Sequence, residues 1–339
     1  MTGALDLGAV AGWARGRLPG FDAPIRATKF SGGQSNPTYR LDTSAGSYVL
    51  RRKPPGALLK SAHAVDREFR VQQALAATDV PVAKMHALCE DDAVIGSAFY
   101  IMDLVAGRSF DQPVLPGLAP DTRHALLDEM NRVLATIHGV DPDAVGLSDF
   151  GPAGHYCQRQ TDRWAKQYHA TQTENLPDMA ALIDWLTQNM PEDDGQRRLV
   201  HGDYRLDNLL YARDGTRLLA VLDWELSTIG HPYADLAGVI MQWSMPATSE
   251  GRGLAGVDRA MLGLWSDQRF IDTYCARRDL SGIDDFNFYI AFCFFRMAAI
   301  LQGVKKRALD GNAADPDRAL RLGAMVPDFA RAGLNAAQR

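Results

Sequence analysis

The sequence predicts an α+β fold in which a small sheet comes first and a larger helical part follows. Three observations carry this reading: short β-like runs before residue 105, one helix-periodic segment set among them, and an almost wholly helical pattern after Gly107. The strand-like runs are 25–30, 38–41, 48–52 and, past the turn residues Glu90-Asp91-Asp92, 98–104. Between them HAVDREFRVQQAL (63–75) sets Val65, Phe69, Gln72 and Leu75 near helical spacing, which predicts one helix packed on the sheet. After Gly107, the residues Leu126, Leu127, Met130, Val133, Leu134 and Ile137 form an apolar stripe that ends at His138-Gly139. Further helices are expected over 155–170, 179–190, 258–274 and 286–308. The strand-like run 217–224 is the exception; it follows the turn Asp214-Gly215, is preceded by Leu209-Leu210-Tyr211, and so predicts a hairpin.

The chain of 339 residues is 46% hydrophobic and 23% charged, enough to bury one large core or two smaller ones and too apolar for a disordered chain. Its 36 basic and 41 acidic side chains provide no basic excess, so no nucleic-acid partner is expected. No basic segment precedes an apolar one at the start, and no run approaches the roughly 18 uninterrupted apolar residues of a membrane span. The expectation is a soluble cytoplasmic protein with no membrane partner. Cys89, Cys157, Cys275 and Cys293 lie far apart with no CxxC pair, which predicts buried free thiols instead of a zinc site or a disulfide framework.

One loop concentrates polarity. LVHGDYRLDNLLY (199–211) holds a histidine, an arginine, two aspartates and an asparagine between apolar pairs. Further on, the apolar run LLAVLDWE ends in Asp223 and Glu225. A strand ending in carboxylates near an Asp/Asn loop suits Mg²⁺, a hard cation that takes oxygen ligands and shares them with phosphate and water. Asp203, outside the metal shell, would accept a hydroxyl proton and orient the oxygen. The same Asp203 and Asn208 would also serve as turn caps, and the residues alone leave both readings open.

HGDYRLDN (201–208), VLDWE (221–225) and GHPYADLA (230–237) together resemble the aminoglycoside phosphotransferase and choline kinase-like family, which shares the protein kinase fold. Kinases carry H-R-D-x-x-x-x-N where this chain has H-G-D-x-x-x-x-N, and D-F-G where it has Asp223-Trp224-Glu225. SGGQSN (31–36) looks like the family's phosphate-covering loop, YVLRR (48–52) like its third strand, REF (67–69) like the helix with the paired glutamate, and YIMDLVAG (100–107) like its hinge. More narrowly, YVLRRKPPG, SAHAVDREFR and FRMAAILQGV look like the branch that includes the kinase-like portion of certain acyl-CoA dehydrogenase fusion proteins.

The resemblance implies a two-lobed protein kinase-like fold, with a nucleotide-binding sheet lobe over residues 1–103 and a helical lobe over 104–339. It implies ATP and Mg²⁺ as cofactors and a small-molecule hydroxyl as acceptor. Asp203 would be the catalytic base or hydroxyl-orienting residue; Asn208 and Asp223 would hold Mg²⁺. Arg205 would neutralise transferred phosphate or pair with a neighbouring carboxylate. Gly32, Gly33 and Ser35 would cover the phosphates, and the backbone of Asp103 and Val105 would meet the adenine. His201 would brace the loop and Asp235 would anchor backbone amides beneath it. Where the family often has a lysine in its third strand, this chain has Arg51, with Lys53 on the same strand face. Arg51 paired with Glu68 is the favoured reading, because prolines end the strand just after Lys53. A nucleotide-binding pseudokinase would be expected to have lost Asp203, Asn208 or Asp223, and all three are here. The segment 155–179, with Arg159, Arg163 and Lys166 among Tyr156, Trp164 and Tyr168, is not an acidic groove for an aminoglycoside. An anionic or acyl-bearing acceptor such as a hydroxyacyl-CoA fits it better, unless Trp164 and Tyr168 are ordinary core residues.

Overall fold

A computed structural model describes residues 5–30, 36–54, 64–152, 154–248, 252–313 and 315–338. In chain order its elements begin with α1 (Leu7–Ala14), β1 (Arg26–Lys29), β2 (Thr38–Thr43), β3 (Gly46–Arg52), α2 (Val65–Leu75), β4 (Met85–Cys89), α3 (Asp92–Ile95) and β5 (Phe99–Asp103). They continue with α4 (Pro120–Gly139), α5 (Tyr156–Thr171), α6 (Pro177–Gln188), β6 (Arg198–Val200), β7 (Leu209–Tyr211), β8 (Leu218–Val221) and β9 (Thr228–Gly230). The last are α7 (Pro232–Trp243), α8 (Arg259–Leu262), α9 (Asp267–Arg277), α10 (Phe286–Leu309), α11 (Pro316–Gly323) and α12 (Val326–Ala337). The chain divides into two units: Met1–Ser109 with Ala144–Leu147 and Asn208–Ser227, and Phe110–Asp143 with Ser148–Asp207 and Thr228–Arg339.

The first unit is built on a five-stranded antiparallel sheet in the order β1-β2-β3-β5-β4. Strand alternation sorts its side chains to two cores. Tyr48, Leu50, Phe99 and Ile101 pack with Val10 and Ala14 of α1, while Val49, Tyr100 and Met102 pack with Val65 and Phe69 of α2. Arg51 follows Val49 by two residues and therefore shares the α2 face. On α2 the buried stripe of Val65, Glu68, Phe69, Gln72 and Leu75 includes one carboxylate, so the helix that anchors the sheet also delivers Glu68 to it. Asp66 and Glu68 lie in the first turn, where acidic groups favour the helix dipole.

The expected single break after residue 103 is replaced by an interleaved division, because the β7–β8 hairpin belongs with the first unit. Leu209 pairs with Val221 across it. Tyr211 and Arg108 exchange both backbone hydrogen bonds at 2.8 Å, and Val221 N donates to Pro81 O at 2.8 Å. Gly107 permits this approach: a Cβ there would lie 2.6 Å from both Leu210 Cγ and Tyr211 O.

In the second unit α10 is the central helix, packed by α12, α11, α7, α5 and α6. It is long and apolar enough to cross a membrane, with a mean hydropathy of 1.4, yet 67% of that window is buried inside the protein. Its apolarity is that of a core helix. Tyr168 is buried and Trp164 packs against the same core, so both are core residues and not an acceptor-facing aromatic surface. The helix expected over 258–274 is broken into α8 and α9 at Gly263, which has φ 72° and lies so close to Pro120 that a Cβ would sit 2.7 Å from its Cα. Ser266 restarts the helix by accepting from Arg269 N at 3.1 Å. Cys89, Cys275 and Cys293 are buried and Cys157 half-buried, all as free thiols.

Candidate active site

A charged cluster forms inside the first unit where β3, α2 and the end of β8 supply one residue each. Arg51 Nε lies 2.8 Å from Glu68 Oε2 and its Nη2 donates to Glu68 Oε1 at 3.0 Å. The same Nη2 also donates to Asp223 Oδ1. Glu225 stands 4.0 Å away and accepts from Asn36 Nδ2 at 3.4 Å. The Glu68 side chain is fully buried and takes a further hydrogen bond from Tyr100 Oη at 2.9 Å. Burial pushes the Glu68 carboxyl up to about 7, against the pull of Arg51. A carboxylate this enclosed fixes the guanidinium in one orientation, turned toward Asp223.

Asp223 and Asn208 come together through the hairpin. Asn208 ends a 3₁₀ turn just before β7, and its carbonyl accepts from Leu222 N at 2.8 Å. Asp223 follows Leu222 with φ 64° and ψ 58°, a left-handed conformation that costs roughly 1–3 kcal/mol outside glycine and is retained where the surroundings impose it. Carboxylate oxygens of Glu68, Asp223 and Glu225 lie within 4.8 Å of one another. Arg51 engages both Glu68 and Asp223, but Glu68 is fully buried and also held by Tyr100, so the more accessible carboxylates of Asp223 and Glu225 would suit Mg²⁺, and the amide of Asn208 would add a further hard oxygen.

The second unit carries the HGD turn, and its backbone is pinned from beneath. Asp235, buried near the start of α7, accepts from His201 N through Oδ2 and from Gly202 N through Oδ1, the latter at 2.8 Å. Burial opposes the Asp235 charge, but the hydrogen bond from His138, 3.4 Å away, helps hold its pKa below the ordinary value. Asp203 N donates to His201 Nδ1 at 3.2 Å, so His201 braces the turn that presents Asp203. From α10, Arg296 Nη2 donates to Gly202 O at 2.9 Å. Arg205 Nε lies 3.1 Å from Asp203 Oδ1 while its Nη2 lies 3.1 Å from Asp207, which also pairs with Arg252 at 2.8 Å.

Among the residues singled out from the sequence, Arg51 meets Glu68, whereas Lys53 pairs with Asp66 at 3.4 Å. Asp103 N donates to Lys84 O at 2.9 Å and its carboxylate pairs with His86 at 2.6 Å, so a base bound there would use its carbonyl. Val105 packs against the α2-side core of the sheet. Gly32, Gly33 and Ser35 lie outside the described residues. Sequence reasoning missed Tyr100, Asn36 and Arg296. For Arg296 a signal existed: it is the single charged residue in the apolar stretch from Phe286 to Val304.

A profile of the phosphotransferase enzyme family matches residues 26–269. The crystal structure of a candidate aminoglycoside phosphotransferase from Ralstonia eutropha is 46% identical, with a TM-score of 0.89 and 99% of each chain covered. Acyl-CoA dehydrogenase family member 10 of Mus musculus is 46% identical over 292 residues, 86% of this chain and 27% of that protein. The chain spans less than half the length of the curated relatives it matches. An aminoglycoside phosphotransferase crystallised in ternary complex with AMP-PNP and hygromycin B shares the fold, with a TM-score of 0.64 at 16% identity, covering 97% of this chain and 98% of the other. The fold class is therefore the kinase-like α+β one.

Proposed function

Because the chain belongs to the phosphotransferase enzyme family, we propose that it moves the γ-phosphate of ATP to a hydroxyl of a small molecule, and that this acceptor is a hydroxyacyl-CoA or a related hydroxy acid. The observation that carries the reading is the cluster of Arg51, Glu68 and Asp223, a strand cation fixed by a buried helix carboxylate and turned toward a metal-type aspartate. Arg51 supplies a positive charge for the nucleotide phosphates in a planar fork, the geometry in which a guanidinium meets two oxygens at once. Asn208 and Asp223 would hold Mg²⁺, which when bound neutralises charge on the phosphate oxygens.

The acceptor oxygen attacks the γ-phosphorus, the bond from that phosphorus to the ADP oxygen breaks, and the hydroxyl proton passes to Asp203. Arg205, paired with Asp203 at 3.1 Å, keeps that carboxylate oriented for the transfer. The braced turn at His201 and Gly202 fixes where Asp203 points, and positioning is the main catalytic resource in phosphoryl transfer. Support for an acyl-CoA or hydroxy-acid acceptor comes from the mouse relative's name and from the exposed basic residues Arg163 and Lys166 on α5. The aminoglycoside alternative needs an acidic groove, and α5 offers none.

The test is a coupled ADP-release screen of the purified chain with Mg-ATP against hydroxyacyl-CoAs, free hydroxy acids, choline, sugars and kanamycin. Turnover on the acyl-CoAs or hydroxy acids is expected. Turnover of kanamycin alone would overturn the acceptor assignment, and silence across the panel would point to a nucleotide-binding pseudokinase.

A further inference from the structure

Resting on the phosphotransfer reading and deepening it, we infer that Arg296 reads the charge of the acceptor, and that the acceptor carries an oxyanion, either a carboxylate or a phosphate. Arg296 projects from α10 at a point where its neighbours Phe292, Phe295, Ala298 and Ala299 are all buried. One of its five N–H donors is used, by Gly202 O at 2.9 Å, one residue before Asp203. Among the described residues it makes no ion pair.

The nearby carboxylates are already committed. Asp235 spends its oxygens on the amides of His201 and Gly202 and on His138, and Asp203 pairs with Arg205. The half-buried guanidinium sits among buried neighbours in the field of Asp235 and Asp203, which keep it charged, yet neither forms an ion pair with it among the described residues, so its charge and remaining donors are placed to meet an anion. Its fork matches carboxylate and phosphate geometry. Its position, on the carbonyl next to the hydroxyl-orienting aspartate, puts that charge where an acceptor presents its hydroxyl. A polycationic acceptor would instead meet a like charge there.

Four acceptors with the same primary hydroxyl separate the possibilities: γ-hydroxybutyrate, γ-hydroxybutyryl-CoA, the neutral γ-hydroxybutyramide and the cationic aminobutanol. Wild type is expected to favour the carboxylate or the CoA ester over the amide by roughly tenfold or more in kcat/KM, and whichever leads identifies the anion. Arg296→Gln retains a donor for Gly202 O but no charge. It should erase the preference while Mg-ATP affinity by calorimetry stays within about twofold, and Arg296→Lys should restore part of it. Use of the amide by wild type equal to that of both the carboxylate and the CoA ester, or an undiminished preference in Arg296→Gln, overturns the role of Arg296 and leaves phosphotransfer standing. Silence on all four acceptors with Mg-ATP bound overturns the phosphotransfer reading, and the charge-reading role falls with it.

Discussion

Replacing Arg51 by alanine should make the stability of the protein depend on pH in a range where the wild type is flat. In the wild type the Glu68 carboxyl titrates at about 7 in place of 4.5. A carboxyl with a raised folded pKa binds its proton more tightly folded than unfolded. Its contribution to stability is full below the unfolded value and is lost as pH rises through the folded one. For the wild type that loss is complete a little above pH 7. Without Arg51, burial acts on Glu68 unopposed by its nearest cation, its pKa climbs further, and the loss continues at about 1.4 kcal/mol per pH unit. At about pH 6, where both proteins hold the proton, only the missing hydrogen bonds to Glu68 and Asp223 separate them, roughly 1–3 kcal/mol. By about pH 8.5 the gap should widen by about 2 kcal/mol, the product of that slope and the distance above 7. Urea unfolding of wild type, Arg51→Ala and Arg51→Ala/Glu68→Gln at both pH values reads this directly, and the double variant should show no widening. A gap that is constant with pH would show that Arg51 is not what sustains the Glu68 charge.

Asp203→Asn should leave Mg-ATP affinity within a few fold while turnover is lost, whereas Asp223→Ala should weaken Mg-ATP itself; equal loss of binding in calorimetry of the two would refute the division of roles. Arg51→Ala should raise the nucleotide KM where Lys53→Ala does little, and the reverse ranking would transfer the phosphate contact to Lys53. Asp235→Asn turns an amino group toward one of the two backbone amides it now accepts from. It should cost about 1–3 kcal/mol in stability and lower kcat more than it alters nucleotide KM; an unchanged kcat would remove the case for a pinned loop. Gly107→Ala forces a Cβ against Tyr211 O and should destabilise by roughly 1–3 kcal/mol in thermal unfolding.

What the sequence made legible was local. β3 and β5 were readable because their apolar residues fill both sheet faces, and α2 because its stripe repeats over three turns. β4 escaped notice because Met85 and Cys89 are buried at its ends while His86, Ala87 and Leu88 between them are only half-buried, so no alternation shows. α7 begins with a proline after the capping His231 and is buried on most sides, leaving no polar face to reveal a period. The spacing of Asp203 and Asn208 could be read because they share a loop. The bond from Arg51 to Asp223 spans 172 residues, and no spacing rule reaches that far. Arg205 was left between two roles; in the structure it bridges Asp203 and Asp207, so it orders the loop from within.

The interleaving of the first unit has a consequence during biosynthesis. Its sheet and α2 are complete by Asp103, but Asp223, the partner that Arg51 turns toward, and the hairpin that closes on Pro81 and Arg108 leave the ribosome only as the chain reaches Ser227. Until then Arg51 has Glu68, itself held by Tyr100, but not Asp223, and the backbone of Pro81 and Arg108 that later meets the hairpin is open to water or to a neighbouring nascent chain. The second unit's α4, α5 and α6 are all synthesised in that interval. A fragment ending near residue 109 would thus lack the hairpin that bonds to Pro81 and Arg108 and be prone to association, and the first unit should be expressed only with the chain through Ser227 attached.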